Sequence, residues 1–371
     1  MICHSIRVRD FRNIGEAEVS FCDGVNLLIG ENAQGKTNLL EAIFYASVGR
    51  SFRAGHTAEM LRFGCPQAEI FLNFADAKRD QNLMIRLFRD RKKIAEKNGV
   101  RMERMSDMVG SFRAVLFCPE HLSLIKDGPA ERRSYMDLAL SRMYPLYIKS
   151  LQRYNYLLKQ RNALLKNAVA DRRTFEVTAE LWSAQLAKEA AAISAWRLKF
   201  LHRANRWVQE CFAEMTGEHE KPVLRYDGSA GLSEEDYEDR EKTEKRYFQL
   251  LTSSCDREIA VGATLWGIHK DDIDIRLNEK SARLYASQGQ QRSLALSMKL
   301  AEGEITREEF GDYPVFLFDD VLSELDAARR NYLLCRIRDK QVIITTCEES
   351  ISADFENVRK IRVKNGTYHP E

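Results

Sequence analysis

The octapeptide Gly30-Glu31-Asn32-Ala33-Gln34-Gly35-Lys36-Thr37 matches the phosphate-binding pattern G-x-x-x-x-G-K-[ST]. The mostly apolar residues 25–29 before it predict a buried strand, and residues 38–46 after it space their apolar side chains as a helix does. A chain that turns through glycines from a strand into a helix leaves backbone N–H groups unpaired at the positive end of the helix dipole. Because a polyphosphate can accept hydrogen bonds from those groups, the octapeptide predicts nucleotide binding.

Two side chains of this loop have separate predicted roles. Lys36 is expected to reach the β- and γ-phosphates, and the hydroxyl of Thr37 is expected to hold Mg²⁺. The alternative is a glycine-rich turn between strand and helix that binds nothing. The flanking strand and helix favour the phosphate loop.

Composition excludes several classes of protein. The 371 residues suffice for two domains or for one large α/β domain with an insertion, and the formal net charge of +2 excludes a bulk polycation. The eight cysteines form no Cys-x-x-Cys pair, so neither zinc nor disulfides are indicated, and we expect reduced core residues. No run is apolar and long enough to span a membrane, and the N-terminus has no signal-peptide core, so a cytoplasmic protein is expected.

The pattern of apolar residues divides the chain into regions. Residues 6–11 and 17–21 alternate as strands do, and residues 68–74 and 83–88 read as a hairpin, so the N-terminal third is expected to form a mixed sheet with one embedded helix. Residues 114–117 predict another buried strand. From Ala130 to Ala213 the chain contains no glycine and one proline, which predicts several long helices.

A second part of the predicted site lies in the C-terminal third. The apolar strand 313–318 ends in Asp319 and Asp320, and two carboxylates at the end of a buried strand are costly unless a cation meets them. In phosphate-loop ATPases the first carboxylate holds Mg²⁺ through water and the second orients the attacking water. The next strand, 341–346, ends in the hydroxyls of Thr345 and Thr346, at the sheet edge where ligands gather.

Three further segments have alternative interpretations. Ser287 begins a helix and Gln290 completes a capping box, which by itself is a structural feature. His269 stands beside Asp271 and Asp272, a set that could bind a metal or form a hydrogen-bonded turn. The basic segment 86–104 predicts either a charged strand edge or a contact with nucleic-acid phosphates.

The order of these motifs resembles that of the ABC-type ATPases that include the SMC proteins and related DNA repair enzymes. The order is phosphate loop, helical insertion, Ser-x-Gly-x-Gln at a helix start, Asp-Asp strand, and a strand ending in hydroxyls. The resemblance covers nearly the whole chain and rests on Gly30 to Thr37, Phe117-Cys118-Pro119-Glu120-His121-Leu122, Lys126-Asp127-Gly128-Pro129, Arg132-Arg133, Gly267-x-His269-x-Asp271-Asp272 and Ser287-x-Gly289-x-Gln291.

This resemblance implies an α/β fold, in which an ABC-type ATPase head with mixed sheets carries a helical arm. The head is assigned to residues 1–122 with 258–371, and the arm to residues 123–257. The implied ligands are ATP and Mg²⁺, with Thr37 and Asp319 at the metal and Lys36, Asp319 and Asp320 as catalytic residues. Ser287, Gly289 and Gln291 of one subunit are implied to cap the γ-phosphate held by residues 30–37 of another, so ATP would drive formation of a homodimer.

The resemblance also implies partners. The dimer is expected to bind single- and double-stranded DNA and gap junctions, and to support loading of RecA with RecO and RecR during replication and gap repair. The segment 86–104, Arg50, Arg53 and the arm compete as DNA contacts, and no membrane is involved.

The chain departs from the usual pattern of these ATPases at two places. Asp320 replaces the usual Glu, which predicts slow hydrolysis, and Thr345-Thr346 replace a His. A scaffold that binds ATP without hydrolysing it is the main alternative. A transporter subunit, a small-molecule kinase and a nuclease are disfavoured by the motifs.

Overall fold

The computed structural model describes residues 1–169, 171–217, 220–355 and 358–371. Within these ranges the strands are β1 (Ile2–Phe11), β2 (Ile14–Ser20), β3 (Val25–Ile29), β4 (Gln67–Ala75), β5 (Asp80–Phe88), β6 (Ile94–Lys97), β7 (Val100–Arg101), β8 (Ala114–Phe117), β9 (Pro222–Asp227), β10 (Asp272–Leu277), β11 (Lys280–Ser281), β12 (Val315–Asp319), β13 (Val342–Thr346), β14 (Val358–Lys364) and β15 (Thr367–Pro370).

The α-helices in the same ranges are α1 (Lys36–Val48), α2 (Ser123–Lys126), α3 (Pro129–Met143), α4 (Pro145–Asn167), α5 (Arg172–Thr216), α6 (Glu234–Glu238), α7 (Arg240–Ser253), α8 (Cys255–Val261), α9 (Ala282–Tyr285), α10 (Gln288–Phe310) and α11 (Ala327–Ile337). Short 3-10 helices are found at Thr57–Met60, Met105–Met108, Pro119–Leu122, Leu322–Glu324 and Glu349–Asp354.

The chain divides into two compact units. The first comprises Met1–Leu122, Glu210–His219 and Arg292–Glu371, and the second comprises Ser123–Gln209 and Glu220–Gln291. The sequence-based division had placed residues 258–291 with the head, whereas by compactness they group with the second unit. The second unit holds α2–α4, α6–α9, most of α5 and the antiparallel sheet β11-β10-β9.

Two six-stranded sheets form the first unit. One has the order β2-β1-β4-β5-β6-β7 and is antiparallel throughout. The other has the order β15-β14-β3-β13-β12-β8 and is parallel except for the pair β14–β15. The expectation of one mixed sheet in the N-terminal third is therefore wrong. Because β3 pairs with β13 and β14 from the far end of the chain, it leaves its sequence neighbours β1 and β2.

Helix α1 lies between the two sheets, in contact with β1 and β4 on one side and with β8, β12 and β13 on the other. Its residues from Leu39 to Val48 are buried, which explains why this helix is apolar around its circumference. On the opposite face of the parallel sheet, α10 and α11 bury Leu296, Leu300, Leu333 and Ile337 against Phe316 and Phe318. With both faces covered, β3, β8, β12 and β13 are buried at every position.

The cysteines differ in part from their expected placement. All eight are free, and Cys3, Cys118 and Cys211 are buried as expected. Cys335 and Cys347 are exposed instead, so the prediction of core residues is wrong for these two. In the described part of the chain, no helix is long and apolar enough to cross a membrane.

Candidate functional site

The predicted phosphate loop joins β3 to α1 at the carboxyl edge of the parallel sheet. Ala33 and Gly35 have positive φ values of 63° and 115°, which curl the backbone between strand and helix. Gly30 is required for a different reason, because a Cβ atom there would lie 2.3 Å from the carbonyl oxygen of Val363. Gly35 caps the N-terminus of α1 and, as a glycine, supplies no side-chain capping bond to the first N–H groups of the helix. The loop thus offers the backbone cradle that an anion requires.

The turn between β14 and β15 supports this loop from outside. Gly366 N donates to Gln34 O at 2.8 Å, and Asn365 N donates to Gln34 Oε1 at 2.7 Å. Tyr368 completes the support, because its hydroxyl donates to Gly35 O at 2.9 Å. The last two strands of the chain therefore fix the shape of the loop.

Lys36 is buried and folds back over the loop. Its Nζ donates to Gly30 O at 2.5 Å and to Glu31 O at 2.9 Å, and it lies 3.2 Å from the Sγ of Cys347. The Cys347 thiol also contacts Asn32 Oδ1 at 3.1 Å. A phosphate group would be a stronger acceptor for the ammonium group than these neutral atoms.

Asp319 connects the loop to the opposite part of the predicted site. Thr37 Oγ1 donates to Asp319 Oδ1 at 2.7 Å, and Thr345 Oγ1 donates to the same oxygen at 2.8 Å. β13 lies between β3 and β12, so Thr345 stands between the loop and Asp319. Burial raises the pKa of the Asp319 carboxyl, and the bonds from Thr37 and Thr345 oppose that rise.

Asp320 adopts a left-handed backbone conformation with φ of 54°. Its N–H donates to Thr345 Oγ1 at 3.0 Å, and its carboxylate accepts a weak bond from Ser323 Oγ at 3.4 Å. Positive φ is uncommon for residues other than glycine, so this hydrogen bond holds a strained position. Asp320 also lines the cavity above the loop.

Glu41 is a buried carboxylate one helical turn beyond Thr37, and it holds two arginine side chains at one side of the site. Glu41 is fully buried and accepts two bonds from Arg12, at 2.9 and 2.8 Å, and further bonds from Arg53 and Ser51. Burial favours the neutral acid, but the bonds from Arg12 and Ser51 and the charge of Arg53 hold the pKa of Glu41 below its usual range. Arg53, also bonded to Asn38 Oδ1 at 2.8 Å, is thereby placed at the loop cavity.

The cavity at the loop has a volume of about 180 Å³ and is polar. It is lined by Asn32, Ala33, Gln34, Gly35, Lys36, Thr37, Asn38, Arg53, Asp320 and Thr345. Among the described residues, no group of three or more His, Cys, Asp or Glu could hold a metal ion by itself. This donor set suits Mg²⁺, which usually takes one or two protein ligands and completes its shell with phosphates and water.

The Ser-x-Gly-x-Gln segment lies in the second unit. Ser287 is exposed and forms the capping box with Gln290, through Gln290 N to Ser287 Oγ at 3.3 Å and Ser287 N to Gln290 Oε1 at 2.6 Å. Gln291 is buried, and its Nε2 donates to Ala286 O at 3.0 Å. The capping interpretation is confirmed, and the exposure of Ser287 leaves the helix start accessible to another molecule.

The cluster around His269 is a structural network in the second unit. Asp271 is fully buried and accepts bonds from Arg197 Nη1 at 3.1 Å, from Ser229 N at 2.8 Å and from the Tyr226 hydroxyl. His269 bonds to the Tyr154 hydroxyl at 2.7 Å and to Thr264 O at 3.1 Å, and burial lowers its pKa to about 4. These contacts agree with the second interpretation given above for this cluster, a hydrogen-bonded turn.

The basic segment 86–104 is not uniform. Arg86 is bound between Glu69 and Glu96, at 3.1 and 3.0 Å, so it is an internal ion pair of the antiparallel sheet. The exposed cations of the segment are Arg89, Arg91 and Lys92, at the turn between β5 and β6, and Arg101 and Arg104 further along the chain. No local sequence pattern marks a contact between residues that are far apart in the chain, so four residues at the loop were not predicted: Arg12, Glu41, Cys347 and Tyr368.

The chain matches the family model "RecF/RecN/SMC N terminal domain" over residues 2–369. It is 38% identical to the DNA replication and repair protein RecF of Ruminiclostridium cellulolyticum, over 93% of this chain and 92% of the relative. It is 34% identical to the protein of that name from Clostridium novyi, over 99% of each chain, and 36% identical to that from Bacillus cereus, over 99% of this chain and 98% of the relative.

Solved structures give the same relationship. The ATP-bound recombination mediator protein RecF of the RecFOR pathway superposes with a TM-score of 0.90 at 33% identity, covering 100% of this chain and 99% of that one. A second structure of RecF, with the ligand designated ATPrS, gives a TM-score of 0.93 at 32% identity, covering 99% and 97%. The Smc head domain of Pyrococcus furiosus gives 0.58 at 16% identity, covering 100% and 96%, and supports the fold alone.

Proposed function

Since the chain belongs to the RecF/RecN/SMC N-terminal domain family, and within it to the RecF proteins, we propose that it is an ATP-dependent DNA-binding ATPase of replication and gap repair. The single observation that supports this most strongly is the contact between Thr37 and Asp319, which joins the phosphate loop to the Asp-Asp strand. The first unit is the ATPase head in this proposal. The relatives named above carry the words replication and repair in their names, and one of their structures holds ATP.

The loop residues are assigned to the nucleotide. Backbone N–H groups of residues 30–37 bind the phosphates, and Lys36 leaves Gly30 O and Glu31 O to contact the β- and γ-phosphates. Thr37 and Asp319 are the side chains for Mg²⁺, which neutralises charge on the phosphates when it is bound. Asp320 orients the attacking water. Its short reach and strained backbone are consistent with slow hydrolysis.

ATP also acts between two copies of the chain. The exposed helix start at Ser287 is available to a second molecule, and Ser287, Gly289 and Gln291 are assigned to the γ-phosphate bound by that molecule's loop. Each copy would lend one helix N-terminus to the other, and hydrolysis would release the dimer.

DNA is the proposed partner of the ATP-bound dimer, in single-stranded, duplex and gapped forms. RecO, RecR and RecA are the proposed protein partners, because a solved relative is described as a recombination mediator in the RecFOR pathway. Affinity for DNA should fall steeply with salt, because cationic side chains release counterions from the phosphates.

Light scattering with and without ATP and Mg²⁺ tests the proposal. We expect a monomer without ATP, a dimer with it, and a monomer under both conditions for Lys36→Ala. A gel-shift series with gapped, duplex and single-stranded DNA then measures whether the ATP-bound form binds DNA more tightly. A wild-type chain that stays monomeric and binds no DNA in the presence of ATP contradicts the proposal.

A second candidate, an ATP-dependent scaffold that does not hydrolyse ATP, is favoured by the constrained geometry of Asp320. Phosphate release separates the two candidates. A rate equal in the wild type and in Lys36→Ala, with and without duplex DNA, would identify the scaffold.

A further inference from the structure

Phe63 stands at the tip of a tight turn and is completely exposed, at 101% of its reference area. Cys65 N donates to Arg62 O at 3.0 Å and closes the turn, and Gly64 at its third position has a φ of 82°. A β-turn with positive φ at the third residue favours glycine there, so Arg62-Phe63-Gly64-Cys65 suits this conformation. The whole aromatic ring is therefore exposed to water, and its burial against a ligand would be favourable.

Hydrogen bonds to two neighbouring elements fix this turn. Arg62 N donates to Asp10 O at 2.8 Å, and Arg12 N donates to Met60 O at 2.8 Å, which join the segment to the end of β1. On its other side, Arg89 N donates to Pro66 O at 3.0 Å. The ring is therefore presented by an ordered backbone, which reduces the entropy lost when it contacts a ligand.

Cationic residues are concentrated in the two segments that meet at this turn. We define the Phe63 surface as residues 62–66 and 88–93. It carries the exposed Arg62, Arg89, Arg91 and Lys92 against the single carboxylate of Asp90, whereas the half-buried Lys93 places its ammonium group over the Tyr45 ring. The whole chain has a net charge of only +2, so positive charge is concentrated here.

The cations have few strong partners of their own. Arg89 Nη2 donates to Cys65 O at 3.3 Å, and the Arg91 guanidinium lies 3.7 Å above the Phe88 ring. The ion pair that Arg62 forms with Asp10 is long, at 3.7 Å. An exposed aromatic ring in a cationic segment matches the combination that binds single-stranded nucleic acid.

We propose that the Phe63 surface binds single-stranded DNA, with Phe63 stacked on an unpaired base and Arg89, Arg91 and Lys92 at the flanking phosphates. Every base has a π-face, so such stacking tolerates any sequence. In an intact duplex both faces of each internal base are covered by its neighbours. A gap or a single strand exposes a base, so the surface selects DNA that contains unpaired nucleotides. This inference rests on the proposed DNA binding and adds the residue that distinguishes DNA structures.

Fluorescence anisotropy of the full chain with ATP and Mg²⁺ tests the inference, with labelled single-stranded, gapped and blunt duplex oligonucleotides of equal length. We expect Phe63→Ala to weaken binding of single-stranded and gapped DNA roughly 5- to 150-fold, the range measured for loss of one stacked base. Affinity for the duplex should change less than about twofold, and Phe63→Tyr should retain binding because the ring is kept.

Val261→Ala is the matched control, because Val261 is also highly exposed but lies at the end of α8, outside every segment named above as a DNA contact. It should leave all three affinities unchanged. Arg91→Ala should reduce the salt dependence for single-stranded DNA by about 0.7 in slope.

Equal affinities of Phe63→Ala and the wild type for gapped DNA would overturn the inference, and so would an equal loss on duplex and gapped DNA. A wild type that binds no DNA would overturn both this inference and the proposed function. A wild type that binds normally while Phe63→Ala also binds normally would overturn this inference alone. Identical thermal unfolding of Phe63→Ala and the wild type verifies that the variant is folded.

Discussion

Thr37 Oγ1 and Asp319 Oδ1 are 2.7 Å apart, although 282 positions separate the two residues in the chain. Thr37 lies in the first turn of α1, after the phosphate loop, and Asp319 is the last residue of β12. Their contact brings together the two side chains that sequence analysis assigned separately to Mg²⁺.

Lys36→Ala is expected to reduce the affinity for ATP by about a hundredfold or more. The ammonium group would make charge-assisted bonds with two phosphates, each worth about 1.5–3 kcal/mol. Isothermal titration calorimetry with ATP measures the loss. Cys347→Ser is the control, because Cys347 touches Lys36 in the structure and its replacement keeps the cation. An unchanged affinity of Lys36→Ala would remove the loop from the nucleotide site.

Asp320→Asn should bind ATP as the wild type does and hydrolyse it about a hundredfold more slowly, because the amide cannot accept a proton from water. The ATP-bound dimer should persist longer as a result. Phosphate release and the lifetime of the dimer after dilution provide the two measurements. A normal rate of release would show that another group activates the water.

Asp319→Asn is expected to stabilise the chain against unfolding in the absence of ATP. It should also reduce the additional stability that the wild type gains from ATP with Mg²⁺. Burial raises the pKa of Asp319, so the native state holds its proton more tightly than the unfolded state. Stability from this group therefore falls as pH rises from the unfolded pKa through the folded pKa, and it remains reduced at neutral pH.

The asparagine cannot ionise, so the melting temperature without ligand should rise by about 2 °C at neutral pH. Calorimetry at about pH 4 and about pH 7 should give a difference between variant and wild type that grows with pH. A difference between variant and wild type that is the same at both pH values would contradict the raised pKa of Asp319.

Glu41→Gln should destabilise the first unit by about 2–3 kcal/mol. Arg12 and Arg53 would lose their buried carboxylate partner, and their partial exposure places the cost below that of a fully buried pair. Urea unfolding measures the change. Glu16→Gln is the control, because Glu16 forms an exposed 3.7 Å pair with Arg9 that should contribute about 0–1 kcal/mol.

The cost of Glu41→Gln should depend on pH in the acid range. The pKa of Glu41 in the folded chain lies below its usual value of 4.5, so this carboxylate stabilises the fold above that pH. The stabilisation is lost as pH falls through the folded pKa. The difference between wild type and variant should therefore shrink below about pH 4, and a difference that widens there would contradict the network.

Asp271→Asn should destabilise the second unit by about 3–5 kcal/mol, because Arg197 would keep its buried charge after losing one of its carboxylate partners. ATP binding to the first unit should persist at temperatures where the chain stays folded. Asp274→Asn, in a partly exposed pair with Arg276, should cost about 0–1 kcal/mol. A variant that lost ATP binding without losing stability would give the His269 cluster a role beyond structure.

Local chemistry made several elements predictable. The strand β3, the start of α1 and the strands β12 and β13 were predicted within a few residues, because short apolar runs and glycine turns act over neighbouring positions. The hairpin β4–β5 was predicted for the same reason. The division of the strands between two sheets was not predicted, because a pair such as Val25 and Val342 joins residues that are far apart in the sequence.

The side of the site formed by Arg12, Glu41 and Arg53 also escaped prediction. A glutamate in an apolar helix has the same local sequence whether it is solvated or buried between two guanidinium groups. Only the folded chain shows that Glu41 is fully buried and that Arg53 lines the loop cavity.

By itself the amino-acid sequence determined that a phosphate loop exists and that two adjacent carboxylates end a buried strand, because each depends on residues that are contiguous. The tertiary structure decided that Thr345 stands between them, that Cys347 touches Lys36, and that the motif at His269 is a buried network. These contacts join residues brought together by sheet order and helix packing, and the burial that gives them their energy exists only once the chain has folded.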